Sequence, residues 1–224
     1  MLNTTKKEAM IDAIIFDLDG TLWDSRDVVA KSWSIAVEEV TGENPHFTSE
    51  FLTPCFGKLL PDIAAMIFPG RNRETQLMLI DKCTEVENKM LLDGPGILYP
   101  NLESTLEILS ANYPLYIVSN CQGGYIEVFL ESTGLTKYFK DHLCPGDTGN
   151  PKADNITAIK NKHHLTSPVY VGDTTGDYDA CIKSNTPFVY ASYGFGDVPD
   201  CTATLNSFDE LPDIIKLMQH QVSS

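Results

Sequence analysis

The chain has 224 residues, of which 42% are hydrophobic, and its formal net charge is −15 at pH 7. This length suffices for one large domain or two modest domains with a full hydrophobic core. The negative charge argues against nucleic acid or an anionic membrane surface as a partner, and no apolar stretch is long enough to span a bilayer.

Two features of the sequence concern its location. Residues 1–8 contain two lysines and a glutamate but no apolar core region, so no signal peptide is predicted. The six cysteines show no Cys-x-x-Cys spacing, and a chain of this size needs no disulfide framework. We therefore expect a cytoplasmic protein with free thiols.

The first predicted element is a buried strand, residues 11–16, which leads directly into Asp17-Leu18-Asp19-Gly20-Thr21. Ligands gather at the carboxyl ends of parallel strands, so both carboxylates are expected at an active site. Like charges two residues apart are costly unless a cation or a shared proton relieves the repulsion, which predicts bound Mg²⁺. An EF-hand calcium loop does not fit, because Gly20 falls at its fourth position and Val28 at its twelfth.

A helical insertion is predicted next. The segment between Asp17 and the next strand-end motif at Ser119 is far longer than one crossover helix requires. Asp24-Ser25 can cap a helix that runs to about residue 41, and further helices are predicted over residues 59–68 and 71–92. The apolar face of the first helix is predicted to consist of Val29, Trp33, Ala36, Val37 and Val40.

The turn-forming residues 93–96 return the chain from this insertion, so residues 24–95 are predicted to form a helical cap domain. Residues 1–23 and 96–224 then form the core domain. In that core, strands are predicted over residues 115–119, 169–173 and 187–191, alternating with helices over 101–111, 123–133, 153–164, 176–183 and 207–219. This alternation predicts an α/β fold with a doubly wound parallel sheet covered by helices on both faces.

Three later groups of polar residues match the first motif in kind. The strand at residues 115–118 ends in Ser119 and Asn120, and the strand at residues 169–172 ends in Asp173, with Asp177 four residues further on. Lys152 opens a predicted helix between them. Each group alone has an ordinary structural explanation, but their joint order predicts one site that binds an anion and a metal.

These four groups, from about residue 11 to residue 217, resemble the four motifs of the haloacid dehalogenase-like hydrolase superfamily. The resemblance implies a Rossmann-like core with a helical cap inserted after the first motif. It also implies a Mg²⁺-dependent phosphatase that forms an aspartyl-phosphate intermediate. The segment Tyr193-Gly194-Phe195-Gly196 is similar to the phosphoglycolate-phosphatase-type branch, so the expected substrate is a phosphoglycolate or sugar-phosphate type of small phosphate monoester.

The resemblance assigns catalytic roles to four residues. Asp17 would attack phosphorus and carry the phosphoryl group, and Asp19 would serve as general acid and then as general base. Ser119 and Lys152 would hold and neutralise the phosphoryl oxygens. The pattern departs from this branch at one point, because Pro151 precedes Lys152 where a proline usually follows the lysine. Lys160 and Lys162 lie too far along the helix to replace it.

The metal and substrate sites also follow from the resemblance. Mg²⁺ is expected on the side chains of Asp17 and Asp173 and on the backbone carbonyl of Asp19, with Asp177 in a supporting role. The predicted substrate-binding residues are Gly20, Thr21, Asn120 and, from the cap, Lys58. The expected partner is a small phosphorylated metabolite, and the expected assembly is a monomer or a weak homodimer.

Two alternatives stay open at this point. A phosphomutase of the β-phosphoglucomutase type shares all four motifs but carries a histidine twelve residues after its nucleophile, where this chain has Val29. This difference favours water over a sugar as the acceptor. A phospho-switch or a binding-only protein is the non-enzymatic alternative, since motifs show capacity rather than turnover.

Overall fold

The computed structural model describes residues 10–199 and 201–221. Its strands are β1 Ala13–Phe16, β2 Trp23–Asp24, β3 Ile97–Leu98, β4 Leu115–Val118, β5 Phe139–Leu143, β6 Pro168–Gly172, β7 Phe188–Ala191 and β8 Ala203–Leu205. Its α-helices are α1 Arg26–Thr41, α2 Ser49–Leu52, α3 Leu60–Ile67, α4 Arg73–Asp93, α5 Leu102–Ser110, α6 Tyr125–Thr133, α7 Pro145–Thr148, α8 Lys152–Lys162, α9 Thr175–Ser184 and α10 Leu211–Gln221.

The core is a parallel sheet with the strand order β5-β4-β1-β6-β7-β8 in the described part of the chain. β1 pairs with β4 on one side, with Ile14 opposite Leu115, and with β6 on the other, with Ile14 opposite Val169. All four residues of β1 are buried, as expected for a central strand covered on both faces. The predicted doubly wound α/β fold with a helical cap is confirmed.

Two edge strands were not predicted. β5 reads Phe-Lys-Asp-His-Leu and is only partly buried, so its sequence lacks the continuous apolar run of β1, β4 and β6. β8 has three residues and lies at the opposite edge. Edge strands bury less surface, and their sequences therefore carry a weaker pattern.

The cap helices enclose an apolar cluster of their own. It is formed by α1, α3, α4 and the segment between α1 and α3, and it includes Trp33, Leu52, Ile63 and Leu79. The predicted face of α1 is right for its first four members, but Val40 is wrong, since it is 41% exposed. The helix ends one residue later at Thr41, and the predicted face drifts away from the cluster over that last turn.

The chain enters and leaves the cap through a pair of short strands. β2 pairs antiparallel with β3, with Trp23 opposite Leu98 and Asp24 opposite Ile97. This pairing supports a boundary near residues 24 and 95, and the domain division stays a prediction. The parts of it that fall on residues 1–9, 200 and 222–224 lie outside the described residues, as does the prediction about a signal peptide.

None of the described helices is long and apolar enough to cross a membrane. All six cysteines are free, as predicted, and Cys55, Cys83, Cys121, Cys144 and Cys181 are buried.

Candidate active site

Three neighbouring strands bring the motif residues together. Asp17 follows β1, Ser119 follows β4 and Asp173 follows β6, and these strands lie side by side in the sheet. All three side chains are buried, with exposed fractions of 2%, 4% and 0%. Their common position at the carboxyl ends of parallel strands is where open α/β sheets bind ligands.

Lys152 lies between two of the acidic residues. Its Nζ donates to Oδ1 of Asp17 at 2.9 Å and to Oδ1 of Asp177 at 2.5 Å. Burial by itself would lower the pKa of Lys152, but the two carboxylates outweigh it and raise the pKa above its ordinary value. Lys152 is therefore a charged group held against the predicted nucleophile, while Lys160 and Lys162 bond elsewhere.

Asp17 carries more negative charge around it than Lys152 offsets. Burial and the charge of Asp177 raise its pKa to about 6, although Lys152 and a hydrogen bond with Ser119 act in the opposite direction. The Ser119 hydroxyl thus contacts the predicted nucleophile, as the motif pattern requires.

Asp19 is held by three donors through one oxygen. Its Oδ1 accepts from Trp23 Nε1 at 2.9 Å, from Ser25 Oγ at 2.5 Å and from Tyr125 OH at 2.9 Å. Burial raises the pKa of Asp19 to about 7 despite these bonds, which favours a protonated carboxyl near neutral pH. Ser25 therefore does not cap α1 as predicted, since its hydroxyl is used on Asp19, and the Asp24 carboxylate accepts from the backbone N–H of Arg26 instead.

A metal ion fits beside the nucleophile. Carboxylate oxygens of Asp17, Asp173 and Asp177 all lie within 4.8 Å of one another. Three buried carboxylates facing a single lysine leave an excess of negative charge, and burial together with the neighbouring acids raises the pKa of Asp173 well above its ordinary value. Oxygen donors in this arrangement suit a hard divalent cation such as Mg²⁺.

Two glycines leave room for Asp173 in this cluster. A Cβ at Gly20 would lie 2.2 Å from Asp173 Oδ2, and Gly20 also has a φ of +79° that disfavours other residues. A Cβ at Gly194 would lie 2.3 Å from the Asp173 Cβ. The loop after β7, which belongs to the segment singled out by resemblance, thus packs directly against the predicted metal ligand.

Asp177 uses both of its oxygens within the protein. Oδ1 accepts from Lys152, and Oδ2 accepts from the backbone N–H of Thr174 at 3.0 Å and from its hydroxyl at 2.7 Å in a capping box at the start of α9. These contacts agree with the predicted supporting role, in which Asp177 orients Lys152.

The four predicted substrate-binding residues are placed differently from one another. Gly20 and Thr21 lie against Asp173, and the buried Thr21 hydroxyl donates to Asp173 Oδ1 at 3.4 Å. Asn120 and the exposed Lys58 line a cavity between cap and core that also contains Asp19. The structure therefore brings Asn120 and Lys58 into one space and turns the Thr21 side chain towards Asp173.

The cap is held against the core close to this cavity. Asn120 Nδ2 donates to the carbonyl of Gly57 at 2.9 Å, and the rings of Phe56 and Phe195 meet edge to face at 5.2 Å. The Arg26 guanidinium lies 4.2 Å from the centroid of Phe195. The segment around Lys58 is thus positioned by the same loops that carry the strand-end motifs.

A cavity residue that was not predicted is Glu87 of α4. It is buried, its Oε1 accepts from Gln122 Nε2 at 3.0 Å, and its Oε2 accepts from Trp33 Nε1. Burial raises its pKa to about 8, with a further contribution from Asp19. A signal was present in the sequence, because an acid occupies a position on the buried face of α4, whose members include Ile80, Cys83, Thr84, Glu87 and Leu91.

A parallel sheet with buried carboxylates and a lysine at its carboxyl edge is typical of α/β enzymes. The family model described as haloacid dehalogenase-like hydrolase matches residues 14–191. The chain therefore belongs to the haloacid dehalogenase-like hydrolase family, which confirms the predicted resemblance and makes the protein a hydrolase.

Individual relatives agree with this membership. The chain is 27% identical over 222 residues to a phosphoglycolate phosphatase of Aquifex aeolicus, covering 93% of this chain and 97% of that protein. It is 26% identical over 180 residues to the pyrophosphatase PpaX of Listeria monocytogenes, covering 79% of this chain and 81% of that protein. A crystal structure of a predicted phosphatase from Clostridium acetobutylicum has the same fold, with a TM-score of 0.78 at 22% identity, and covers 93% of this chain and 100% of that chain.

Proposed function

We propose that this protein is a Mg²⁺-dependent phosphatase that hydrolyses a small phosphate monoester through an aspartyl-phosphate intermediate on Asp17. The observation that carries the proposal is the contact between Asp17 and Lys152 at 2.9 Å, next to the carboxylates of Asp173 and Asp177. The phosphoglycolate phosphatase of Aquifex aeolicus supports an ester of phosphoglycolate or sugar-phosphate size.

In the first step, an oxygen of Asp17 bonds to phosphorus while the bond from phosphorus to the ester oxygen breaks. Asp19 gives its proton to that leaving oxygen. Lys152 and Ser119 stabilise the charge on the transferring oxygens, and bound Mg²⁺ on Asp17, Asp173 and the carbonyl of Asp19 would supply further positive charge.

In the second step, Asp19 takes a proton from a water molecule whose oxygen bonds to phosphorus, and Asp17 is released as a free carboxylate. Water rather than a second substrate is the proposed acceptor. Val29, which stands where the mutase-type relatives carry a histidine, lines the cavity and offers neither an acid nor a base.

The direct test is phosphate release from p-nitrophenyl phosphate and small phosphate esters, with Mg²⁺ and with EDTA. We expect release that EDTA abolishes and added Mg²⁺ restores, because three buried carboxylates and one lysine leave the site negatively charged without a divalent cation. Binding of Mg²⁺ to the folded protein, followed by the thermal unfolding midpoint, provides a readout independent of turnover. Full activity in EDTA, or no release from any ester by folded protein that binds Mg²⁺, would contradict the proposal.

Replacing Asp19 tests its proton transfer. Asp19→Asn keeps an oxygen that can accept from Trp23, Ser25 and Tyr125 but removes the exchangeable proton. We expect kcat/KM for an alkyl phosphate to fall by roughly 10²-fold or more, the usual worth of general acid–base catalysis. The loss should be smaller for p-nitrophenyl phosphate, because nitrophenolate leaves without protonation. Equal losses on both esters would argue for a purely structural role.

A further inference from the structure

The inference concerns what the substrate carries beyond its phosphate, and it rests on the proposed phosphatase function. The leaving group must reach Asp19, and Asp19 opens onto the cavity between cap and core. On the cap side of the same cavity lies Glu87. Its open volume is about 40 Å³, which admits a chain of a few heavy atoms in this arrangement, since one water molecule needs at least ~10–15 Å³ by this measure.

Glu87 accepts two hydrogen bonds from neutral groups and has no cationic partner. Its donors are the Trp33 indole and the Gln122 amide, one on each oxygen. Among the ion pairs of residues 10–199 and 201–221, none involves Glu87. A buried carboxylate without a cation is costly, so its remaining acceptor capacity favours a donor brought by a ligand.

The other charges around the cavity add to this preference. Asp19 lies on the core side, so two acidic groups face the space in which the leaving group sits. The single cation among the described residues that line the cavity is Lys58, whose side chain is exposed to solvent. A leaving group that ends in a carboxylate would have to approach two buried acids, which is unfavourable in a low-dielectric site.

We propose that Glu87 is a specificity-determining residue that accepts a hydrogen bond from an N–H or O–H group of the substrate's leaving group. The preferred substrate is then a short phosphate monoester whose leaving group carries an ammonium or a hydroxyl rather than a carboxylate. This assignment departs from a carboxylate-bearing ester such as phosphoglycolate, which Lys58 was predicted to meet.

The experiment compares kcat/KM for three short esters with p-nitrophenyl phosphate as a reference. O-phosphoethanolamine carries an ammonium, glycerol 3-phosphate carries hydroxyls, and 2-phosphoglycolate carries a carboxylate. We expect at least one of the donor-bearing esters to exceed 2-phosphoglycolate by about tenfold or more. The better of the two identifies whether the donor is an ammonium or a hydroxyl.

The variant Glu87→Gln removes the charge and leaves a single acceptor oxygen in a side chain of similar size. We expect kcat/KM for the preferred donor-bearing ester to fall roughly 10- to 100-fold, the loss typical of one hydrogen bond to a charged group. Turnover of p-nitrophenyl phosphate should change little, and that of 2-phosphoglycolate should stay the same or rise. The matched control is Glu85→Gln, which removes the same charge from an exposed position of α4.

Each outcome has a distinct meaning. If wild-type protein prefers 2-phosphoglycolate and Lys58→Ala removes that preference, the inference about Glu87 is wrong while the phosphatase function stands. If Glu87→Gln lowers kcat/KM equally for all four esters, Glu87 only fastens the cap through Gln122 and does not read the substrate. If wild-type protein releases phosphate from none of the esters, the proposed function itself fails. The wild-type comparison decides the matter even if the variant does not fold.

Discussion

Asp17→Asn abolishes turnover in the expected experiment, with kcat falling by roughly 10⁴-fold or more, as it does when other covalent enzymes lose their nucleophile. The amide of asparagine does not attack phosphorus, and no other carboxylate is in its place. Asp19 is turned towards Trp23, Ser25 and Tyr125.

The same variant is expected to stay folded. Lys152 keeps its contact with Asp177 at 2.5 Å, and the repulsion between the Asp17 and Asp177 charges is removed. We therefore expect an unchanged or higher unfolding midpoint. Asp213→Asn, at an exposed position of α10, is the control for loss of one aspartate charge.

A covalent readout separates nucleophilic attack from binding. Acid quenching during turnover should trap one phosphoryl group on Asp17 of the wild-type protein, and mass spectrometry should find none on the Asp17→Asn variant. Unimpaired turnover by this variant, or a phosphoryl group trapped on another residue, would refute Asp17 as the nucleophile.

Lys152→Met should cost both activity and stability. The Lys152 side chain is 3% exposed and bonds to two carboxylates that are equally buried. Its loss leaves those charges without a cation, and breaking a buried ion pair from one side typically costs about 3–5 kcal/mol of unfolding free energy. Turnover should fall with it, because no cation would then face the phosphoryl oxygens at Asp17.

Urea unfolding with and without Mg²⁺ tests the electrostatic cause. Added Mg²⁺ should restore part of the lost stability, because a divalent cation among Asp17, Asp173 and Asp177 replaces some of the missing charge. Lys162→Met, on the same helix but exposed and paired with Asp141, should change stability by less than ~1 kcal/mol. Similar losses from both variants would show that the buried ion pair is not important for stability.

The catalytic residues could be predicted because each is tied to a local pattern. Asp17, Ser119 and Asp173 directly follow apolar strand sequences, and parallel strands bring their carboxyl ends to one edge whatever lies between them. Lys152 was found from motif order even though its neighbouring proline is on the unusual side, and the structure places its ammonium at Asp17.

The environment of Asp19 could not be predicted in the same way. Tyr125, which donates to Asp19 at 2.9 Å, is more than 100 residues away in sequence, and Ser25 looked like a helix cap. A hydrogen bond across such a distance depends on how α6 packs beside the β1 loop, and no local periodicity encodes it.

By itself, the sequence determined the fold class, the helical insertion and the strand-end motifs of this protein, because apolar periodicity and turn residues act over short stretches of chain. Only the tertiary structure decided which side chains from cap and core share the cavity. Glu87 of the cap meets Gln122 of the core there, and Asn120 bonds to the backbone of Gly57 rather than standing free. The docking of one domain on another determines these contacts, since burial and the lack of a neighbouring cation give Glu87 its chemical character.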